Sequence, residues 1–345
     1  MAKKKPICIG TGLVALDVIL NGNPKTLPKM SAGGSCGNVL SILAFLGWES
    51  LPVARLADNP ATVELLSDFS RWHVNETFLK INDEGSTPII IHRILKDAEG
   101  NPNHRFEFRD PESKDWLPNF KPITINFARE ITEQVIQPQV FYFDRANPGT
   151  IELASHYRDK GALIFFEPSS IKDERLFSKS LSLSHVVKFS NDRIKDYKDR
   201  YKTSQTELEI ETQGKDGIIY RTSKSKSNQW KRIKPFMVDK VVDTAGAGDW
   251  CSASIIMKLG VEGYSLFKSK SNHEIEDALN FGQLLAGLNC MFDGARGLMY
   301  HFSKTSLQRI VSGTFGKNEI SFGDVSSFKK TIIDNSKRTS ISSLY

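Results

Sequence analysis

The sequence lacks long apolar runs, and this absence limits where the protein can reside. None of its 345 residues belongs to an unbroken apolar stretch of the about 18 residues that a membrane-spanning helix needs. The chain starts with the basic segment MAKKKPICIG and shows no apolar segment of the kind found in secretory signal peptides. We therefore expect a protein without a membrane anchor and predict a cytoplasmic location.

Cysteine is also scarce, and several well-known motifs are missing. The four cysteines are far apart in the chain: Cys8, Cys36, Cys251 and Cys290. Scattered cysteines in a long chain are typical of reduced, buried thiols, and not of a disulfide framework or a zinc site. The sequence contains no G-x-x-x-x-G-K-[ST] phosphate loop and no H-E-x-x-H zinc motif.

The charge balance is mildly basic, with 46 basic and 40 acidic side chains and a formal net charge of +6. Much of the excess lies in the lysine-rich start and in two serine- and lysine-rich stretches, residues 221–234 and 326–340. Charge runs of this kind are more often solvated loops and tails than binding sites for nucleic acid. We therefore predict no specific nucleic-acid partner.

The second half of the chain shows a regular alternation of segments. Short apolar runs, such as residues 139–143 and 162–166, are each followed by an amphipathic helical pattern. Near-continuous apolar strands that alternate with helices are typical of a parallel sheet covered on both faces. We therefore predict an α/β fold.

The first third and the last part of the chain differ from this pattern. Residues 87–109 contain two β-like runs on either side of the turn sequence AEGNPN, which predicts a hairpin and a small β lid. Beyond residue 310 the periodicity is lost. We divide the chain into a main domain, 1–310, that includes the lid, and a C-terminal tail or peripheral extension, 311–345.

The first glycine-rich segment, Gly10 to Ala15, matches the G-x-G-x-x-A fingerprint of dinucleotide-binding proteins. That fingerprint requires a helix directly after the glycine turn and an acid about 20 residues later. Here residues 13–20 continue as a β-like run, and no acid lies near residue 30. We therefore interpret the segment as a strand with small residues at a tight point.

The second glycine-rich segment is DTAGAGD, residues 243–249, between a strand-like run at 236–242 and an apolar helical pattern. Small residues at a helix start leave backbone N–H groups open, and the helix dipole favours an anion there. An acid at this place, Asp249, suits a base that deprotonates an attacking hydroxyl during phosphoryl transfer. The alternative is a plain capped helix, with Asp243 or Thr244 as the N-cap.

Five segments together resemble the PfkB, or ribokinase-like, carbohydrate kinases. They cover roughly residues 7 to 300 in the family's order: GTGLVALDVIL, AGGSCGNVLSILAFLG, ETQGKDGIIY, DTAGAGDWCSASII and ALNFGQLLAGLNCMFDGARG. The resemblance implies a three-layer ribokinase-like fold, with a central, mostly parallel sheet flanked by helices and a small β lid. It also implies ATP-dependent phosphorylation of a primary hydroxyl on a sugar or sugar-like acceptor, with ATP and Mg²⁺ as cofactors.

The resemblance assigns roles to individual residues. It implies Asp249 as the catalytic base and an anion hole formed by Gly246, Ala247 and Gly248. The implied acceptor-binding residues are Asp17, Gly33, Gly34 and Asn38, and the implied nucleotide-binding residues are Thr212, Gly214, Gly217, Thr244 and Gln283. From the residues alone, Asp17 could equally be a strand-end acid in solvent, Asn38 a helix N-cap, and Gln283 part of an exposed helix face.

The sequence departs from the family pattern at three places. The N-x-x-E segment is SNDRIK, without the Glu that helps to organise magnesium, so no protein ligand for the metal is predicted and Asp192 is a weak substitute. The Asp-Pro-Asn segment is EPSS, residues 167–170, and the G-x-D-x-x-G element is LADNPA. These changes leave open two alternatives, a nucleoside kinase on the same fold and a non-catalytic sugar- or nucleotide-binding regulatory member. The resemblance also leaves open a monovalent cation near Asp243 and the 294 loop, and a homodimer through the lid.

Overall fold

The computed structural model describes residues 4–20, 26–96, 102–225, 228–328, 333–337 and 339–345. The strands are β1 (Ile7–Thr11), β2 (Ala15–Leu20), β3 (Lys29–Gly33), β4 (Glu49–Leu56), β5 (Leu79–Ile81), β6 (Ile89–Lys96), β7 (Pro102–Glu107), β8 (Val140–Phe143), β9 (Leu163–Phe166), β10 (Val186–Ser190), β11 (Leu208–Thr212), β12 (Ile218–Thr222), β13 (Lys231–Ile233), β14 (Met237–Val238) and β15 (Glu319–Ile320).

The helices follow in the same chain order. They are α1 (Gly34–Leu46), α2 (Pro60–Arg71), α3 (Ile125–Thr132), α4 (Pro148–Asp159), α5 (Glu174–Leu183), α6 (Tyr197–Arg200), α7 (Ala247–Leu259), α8 (Tyr264–Phe267), α9 (Asn272–Cys290), α10 (Gly297–His301), α11 (Lys304–Thr314) and α12 (Phe322–Ser326). Short 3-10 helices cover Gly214–Asp216 and Ile341–Ser343.

The central sheet has the strand order β13-β12-β11-β10-β9-β8-β1-β4-β5 within the described residues. Strands β11 through β5 in that order pair in parallel, and β12 and β13 add an antiparallel edge. Successive residues of β1 belong to two different hydrophobic cores. Cys8 packs in one core, and Ile7 and Ile9 pack in the other. Since successive strand side chains point to opposite faces, both faces of the sheet are covered, and the predicted three-layer α/β fold is confirmed.

The strand order reverses at β1, which pairs with β4 on one side and β8 on the other. In open α/β sheets, ligands bind outside the carboxyl ends of the strands at such a switch point. The segments that leave these ends are Gly12–Leu13 after β1, Asp144 after β8 and Glu167 after β9. The topology therefore predicts a site at this edge.

The lid is a separate sheet with the order β3-β2-β6-β7. The predicted hairpin is confirmed, because β6 and β7 pair antiparallel, while its turn at 97–101 lies outside the described residues. The strand-like run at 7–20 forms two strands, and no helix follows Gly10–Ala15, as the dinucleotide fingerprint would have required. The lid thus takes β2 and β3 from the segment between β1 and α1.

The C-terminal region continues without a break at residue 310, since α11 crosses it. Further along, the backbone N–H of Met30 in β3 donates to the Asn335 carbonyl at 3.0 Å, and Asn335 Nδ2 donates to the Met30 carbonyl at 3.0 Å. The side chain of Leu344 is buried. This part of the tail therefore packs along the edge of the lid sheet, and the boundary at 310 stays a prediction.

The cysteines are free, as predicted; three are buried and Cys290 is half-buried. Among the described helices, none has the length and apolar character to cross a membrane. The cytoplasmic location stays a prediction.

Candidate active site

The glycine-rich turn leads into α7 through a backbone shape that only glycine adopts easily. Gly246 is the N-cap and has a φ of +72°, in the left-handed region. A Cβ atom at this position would lie 2.0 Å from the carbonyl oxygen of Ala295. The turn is therefore fixed both by its dihedral angle and by close packing against the loop after α9.

The prediction of a strand at 236–242 is mostly wrong, because only the two residues of β14 form a strand there. The backbone N–H groups of Val242 and Asp243 both donate to the Cys290 carbonyl at the end of α9, at 2.7 and 3.2 Å. These donors are thus used by a helix end and not by a neighbouring strand. The chain approaches α7 along α9, which positions the turn.

The start of α7 offers backbone donors to a ligand. Of the predicted anion-hole residues Gly246, Ala247 and Gly248, Ala247 already uses its N–H, which donates to Thr244 O at 3.3 Å; further on, the Trp250 N–H donates to Gly246 O at 2.9 Å. The N–H groups of Gly248 and Asp249 lie between them, in the first turn, where no intrahelical acceptor exists. No side chain caps this helix, so the alternative with Asp243 or Thr244 as the N-cap is wrong. An anion could accept from this turn.

Gly248 leaves the helix start uncovered without a structural need for glycine. Its φ is not among the positive values of the chain. A Cβ atom here would lie 3.7 Å from Lys188 Nζ and 3.8 Å from Glu167 Oε1, which are ordinary contact distances. Because glycine has no side chain, no side-chain atom separates the start of α7 from the Lys188 ammonium and the Glu167 carboxylate.

Asp249 is joined to the acceptor segment by a direct hydrogen bond. Asn38 Nδ2 donates to Asp249 Oδ2 at 2.8 Å across 211 residues of sequence. Asn38 lies inside α1, whose N-cap is Gly33, so the interpretation of Asn38 as a helix cap is wrong. The Asn38 Oδ1 atom is buried and has no partner among the described residues. It is therefore free to accept a hydrogen bond from a ligand hydroxyl.

The surroundings of Asp249 favour its protonated form. Burial and the nearby carboxylate of Glu167 raise the pKa of Asp249 to about 8. The hydrogen bond from Asn38 and the charges of Lys188 and Arg193 lower the pKa, and only partly offset the rise. A base is most effective when its pKa lies near the working pH, which this environment provides.

A buried ion pair beneath the turn was missed from the sequence. Glu167 Oε1 accepts from Lys188 Nζ at 2.5 Å, and Glu167 Oε2 accepts from Ser252 Oγ at 2.5 Å and from Tyr142 OH at 3.0 Å. The signals were a lysine inside the apolar run HVVKF and an acid directly after β9. Only the acid, Glu167, is identified from the sequence, as a departure from the family pattern, and the lysine is not singled out.

The acceptor residues Asp17, Gly33 and Gly34 come together where β2 pairs with β3. A Cβ atom on Gly33 would lie 2.0 Å from Asp17 Cγ, so the carboxyl group packs directly on the glycine. Burial raises the pKa of Asp17 to about 7, while Arg296 and a hydrogen bond from the Gly34 backbone lower it. Asp17 is thus a half-buried group within a strand, and its interpretation as a solvent-exposed strand-end acid is wrong.

A second buried cluster supports this segment. The Ala32 N–H donates to Asp68 Oδ2 at 3.0 Å, and the same carboxylate accepts from Arg296 Nη2 and Tyr300 OH, each at 2.6 Å. Arg296 also donates to the Ala32 carbonyl. These contacts join β3, α2 and the loop before α10 next to the acceptor residues.

Three of the predicted nucleotide residues, Thr212, Gly214 and Gly217, lie at the end of β11 and in the turn after it. Thr212 is the last residue of β11, and Gly214 and Gly217, with φ of +54° and +92°, form the turn that follows. Gln283 on α9 is 9% exposed and donates to the Lys234 carbonyl at 2.7 Å, so the exposed-face interpretation is wrong. Gly217 packs on the neighbouring Ile233 carbonyl. Thr244 lies in the turn before α7.

The described residues do not form a metal cage of their own. They contain no cluster of three or more His, Cys, Asp or Glu side chains suited to a metal ion. Asp192 is exposed, and Asp243 accepts from the Ala245 and Gly294 N–H groups, each at 2.9 Å. Mg²⁺ usually binds through substrate phosphates with only one or two carboxylates. A nucleotide-borne ion therefore needs no such cluster.

Residues 177–299 match the model of the pfkB family carbohydrate kinases, and this region contains the glycine turn, Asp249 and the Gly214–Gly217 loop. This part of the chain is therefore similar to the pfkB family carbohydrate kinases, as the sequence motifs predicted. With it comes the predicted enzyme class, a phosphotransferase that uses an alcohol group as acceptor.

The proteins similar to this chain cover nearly its whole length. Ketohexokinase of Mus musculus is 24% identical over 324 residues, which is 87% of this chain and 100% of the relative. Among solved structures, fructokinase from Xylella fastidiosa with bound ATP has a TM-score of 0.65 at 15% identity, over 94% of this chain and 98% of that one. A Burkholderia thailandensis nucleoside kinase in complex with inosine has a TM-score of 0.64 at 14% identity, over 90% and 98%. The structural likenesses show the ribokinase-like fold.

Proposed function

We propose that this protein is a pfkB-type kinase that transfers the γ-phosphoryl group of ATP to a primary hydroxyl of a sugar or sugar-like acceptor, with Asp249 as the general base. The observation that supports this most directly is the position of Asp249. It lies in the first turn of α7, beside open N–H groups, and bonds Asn38 of the acceptor segment at 2.8 Å. One carboxylate thus adjoins both the anion turn and the acceptor residues.

In the proposed reaction, the carboxylate of Asp249 accepts the proton of the acceptor hydroxyl. The hydroxyl oxygen then forms a bond to the γ-phosphorus, the bond from that phosphorus to the β,γ-bridging oxygen breaks, and ADP leaves with the bond's electron pair. The N–H groups of Gly248 and Asp249 donate to the phosphoryl oxygens and stabilise their charge. Mg²⁺, when bound with the nucleotide, would supply further neutralising charge.

The acceptor is oriented by groups that bind hydroxyls. A neutral sugar needs directional partners, which the carboxylate of Asp17 and the unpartnered Oδ1 of Asn38 provide. Gly33 and Gly34 keep the backbone close enough for Asp17 to stay fixed, since a side chain on Gly33 would overlap it. These residues support an acceptor with several hydroxyl groups.

A nucleoside acceptor is the second candidate, because the lid carries two half-exposed aromatic rings. Phe106 and Phe108 are 44% and 47% exposed, and the Phe106 ring lies 5.0 Å from the His92 ring between centroids. Aromatic faces of this kind stack well on bases. The nucleoside kinase solved with inosine has the same fold.

A non-catalytic sensor is the third candidate, favoured by the missing N-x-x-E Glu and opposed by the placement of Asp249. One experiment separates the three. ADP and phosphorylated product are measured with ATP, Mg²⁺ and a panel of sugars, sugar phosphates and nucleosides, with Asp249→Asn as the matched control. Turnover of sugars supports the proposal, and turnover of nucleosides alone supports the second candidate. Ligand binding without turnover supports the sensor.

Two finer predictions remain to be tested. We keep a monovalent cation near Asp243 and the 294 loop as a proposal, testable by replacing K⁺ with tetramethylammonium in the assay. We also keep a homodimer through the lid as a proposal, testable by light scattering.

A specific nucleic-acid partner is not expected, and any weak binding of nucleic acid should be lost steeply as the salt concentration rises.

A further inference from the structure

The ion pair between Lys188 and Glu167 lies where a phosphoryl group would be held. Lys188 is a buried cation in the middle of β10, with its side chain 2% exposed. Its Nζ would lie only 3.7 Å from a Cβ atom on Gly248, the residue that leaves the start of α7 uncovered. A positive charge therefore borders the same space as the open N–H groups.

The ammonium group of Lys188 has more N–H donors than its bond to Glu167 uses. A lysine ammonium carries three N–H donors, and one of them goes to Glu167 Oε1 at 2.5 Å. No hydrogen bond from the other two is found within the described part of the chain. Burial disfavours the charged form, but the neighbouring Glu167, Cys251 and Asp249 raise the pKa of Lys188, so the group stays charged.

The charges around the turn require such a cation. The Glu167 carboxylate and Asp249, in the deprotonated form in which it acts as a base, adjoin the space into which a negative phosphoryl group would move, and like charges repel. Glu167 is fully engaged by Lys188, Ser252 and Tyr142 and cannot turn away. A fixed ammonium with free donors offsets the repulsion.

We propose that Lys188 is a further catalytic residue, whose ammonium contacts the phosphoryl group held at the start of α7 and stabilises its charge. This inference rests on the proposed function. The alternative is that Lys188 only neutralises Glu167 within the core. The two differ in what happens when both charges are removed together.

The test therefore uses the double variant Lys188→Met/Glu167→Gln, which leaves no unpaired buried charge. The wild-type enzyme is assayed first, and absence of any ATP-dependent turnover would contradict the proposed function itself. With an active parent, we expect kcat of the double variant to fall about 10²- to 10³-fold, the usual loss for one anion-hole donor. Calorimetry should show weaker binding of ATP and unchanged binding of ADP, because the lysine contacts only the terminal phosphoryl group.

The matched control is Arg221→Met/Glu209→Gln, which removes another buried pair, at 2.6 Å, from strands β12 and β11. It should lose at least as much stability, because Arg221 also donates to the carbonyls of Tyr201, Lys202 and Thr203, but keep the difference between ATP and ADP binding. A double variant at Lys188 that stays folded and turns over like the parent would overturn the proposal. So would equal losses of ATP and ADP affinity, or the same pattern in the control.

Gly248→Ala provides a second measurement that does not disturb the ion pair. The added methyl group fits at contact distance from Nζ and Glu167 Oε1, so the fold should be unchanged. It would lie between the ammonium and the ligand and should lower kcat. Unchanged kcat would place the phosphoryl group away from Lys188 and contradict the proposal.

Discussion

The two halves of the candidate site are built by different means. On the acceptor side, charged and polar side chains from distant segments meet in partly buried surroundings, as in the bond between Asn38 and Asp249. On the nucleotide side, the segment Gly214–Asp216 is exposed, and its shape comes from glycine dihedral angles. Fixed side chains are thus expected where the chemistry occurs, and a shaped backbone where the nucleotide is held.

This difference has a thermodynamic consequence. Desolvation raises the pKa of both Asp249 and Asp17, to about 8 and about 7. In the free protein the charged form of both carboxyl groups is therefore incompletely stabilised, and a bound ligand would supply the missing interactions. Functional sites commonly carry such perturbed groups, whereas a glycine loop has no charge to perturb.

The substitution Asp249→Asn should give the largest difference between the two halves of the site, seen in turnover and in nucleotide affinity. Asparagine keeps the size of the side chain and can still accept from Asn38 Nδ2, so the fold should be unchanged. Loss of a general base should lower kcat about 10²- to 10⁴-fold. Steady-state kinetics with the true acceptor, and calorimetry for ATP, should show lost turnover and retained nucleotide affinity. Parental turnover would rule out Asp249 as the base.

The acceptor side alone should respond to Asp17→Ala. Removing one partner of a buried hydroxyl leaves the other unsatisfied, at a cost of about 1–3 kcal/mol. The acceptor KM should therefore rise roughly ten- to hundred-fold, with the ATP KM nearly unchanged. If the ATP KM moved and the acceptor KM did not, the two halves of the site would be assigned the wrong way round.

The lid should respond in the same direction as Asp17. Its sheet contributes β2 and β3 to the acceptor segment, and β6 and β7 form its outer hairpin. Shortening that hairpin should weaken sugar turnover and raise the ratio of ATP hydrolysis to sugar phosphorylation, because water then reaches the site. A parallel assay of ADP and sugar phosphate measures this ratio. An unchanged ratio would mean that the lid does not exclude water.

Local sequence patterns predicted most of the fold. The helix α4 shows an amphipathic pattern and β9 an unbroken apolar run, and the turn before α7 carries its own glycines. The strand expected at 236–242 is limited to β14, and at its far end the Val242 N–H bonds the Cys290 carbonyl at the end of α9, a contact with no local signal. Patterns therefore predict elements better than they predict which partner an element finds.

The buried ion pairs of the site could not be predicted in this way. Lys188 lies in β10 and Glu167 follows β9, and Arg296 reaches Asp68 across 228 residues. A charged residue in an apolar run signals only that a partner exists, because burial of an unpaired charge is costly. The identity of the partner depends on sheet order, which the sequence alone leaves open.

A smaller effect concerns how pH acts on the base. Because Asp249 must give up its proton to act, kcat/KM should fall below about pH 8, where its raised pKa leaves it protonated. Glu167→Gln removes the neighbouring negative charge that helps to raise this pKa. The acid limb of the kcat/KM profile should therefore move to lower pH in that variant. A limb that stays in place would mean that Glu167 does not act on the base.

The smallest effect should come from the nucleotide loop, where dihedral angle and packing can be separated. Gly214 has a φ of +54° and nothing within 4 Å of an added Cβ, so Gly214→Ala should cost only the about 1–2 kcal/mol of a left-handed backbone. Asparagine tolerates that region better, so Gly214→Asn should recover part of the melting temperature. At Gly217 a Cβ would lie 2.4 Å from the Ile233 carbonyl, and the ψ of −136° lies outside the left-handed region that asparagine tolerates, so Gly217→Asn should not recover relative to Gly217→Ala. If asparagine rescued both positions equally, backbone angle alone would shape the loop, and the packing of Gly217 on β13 would have no role in it.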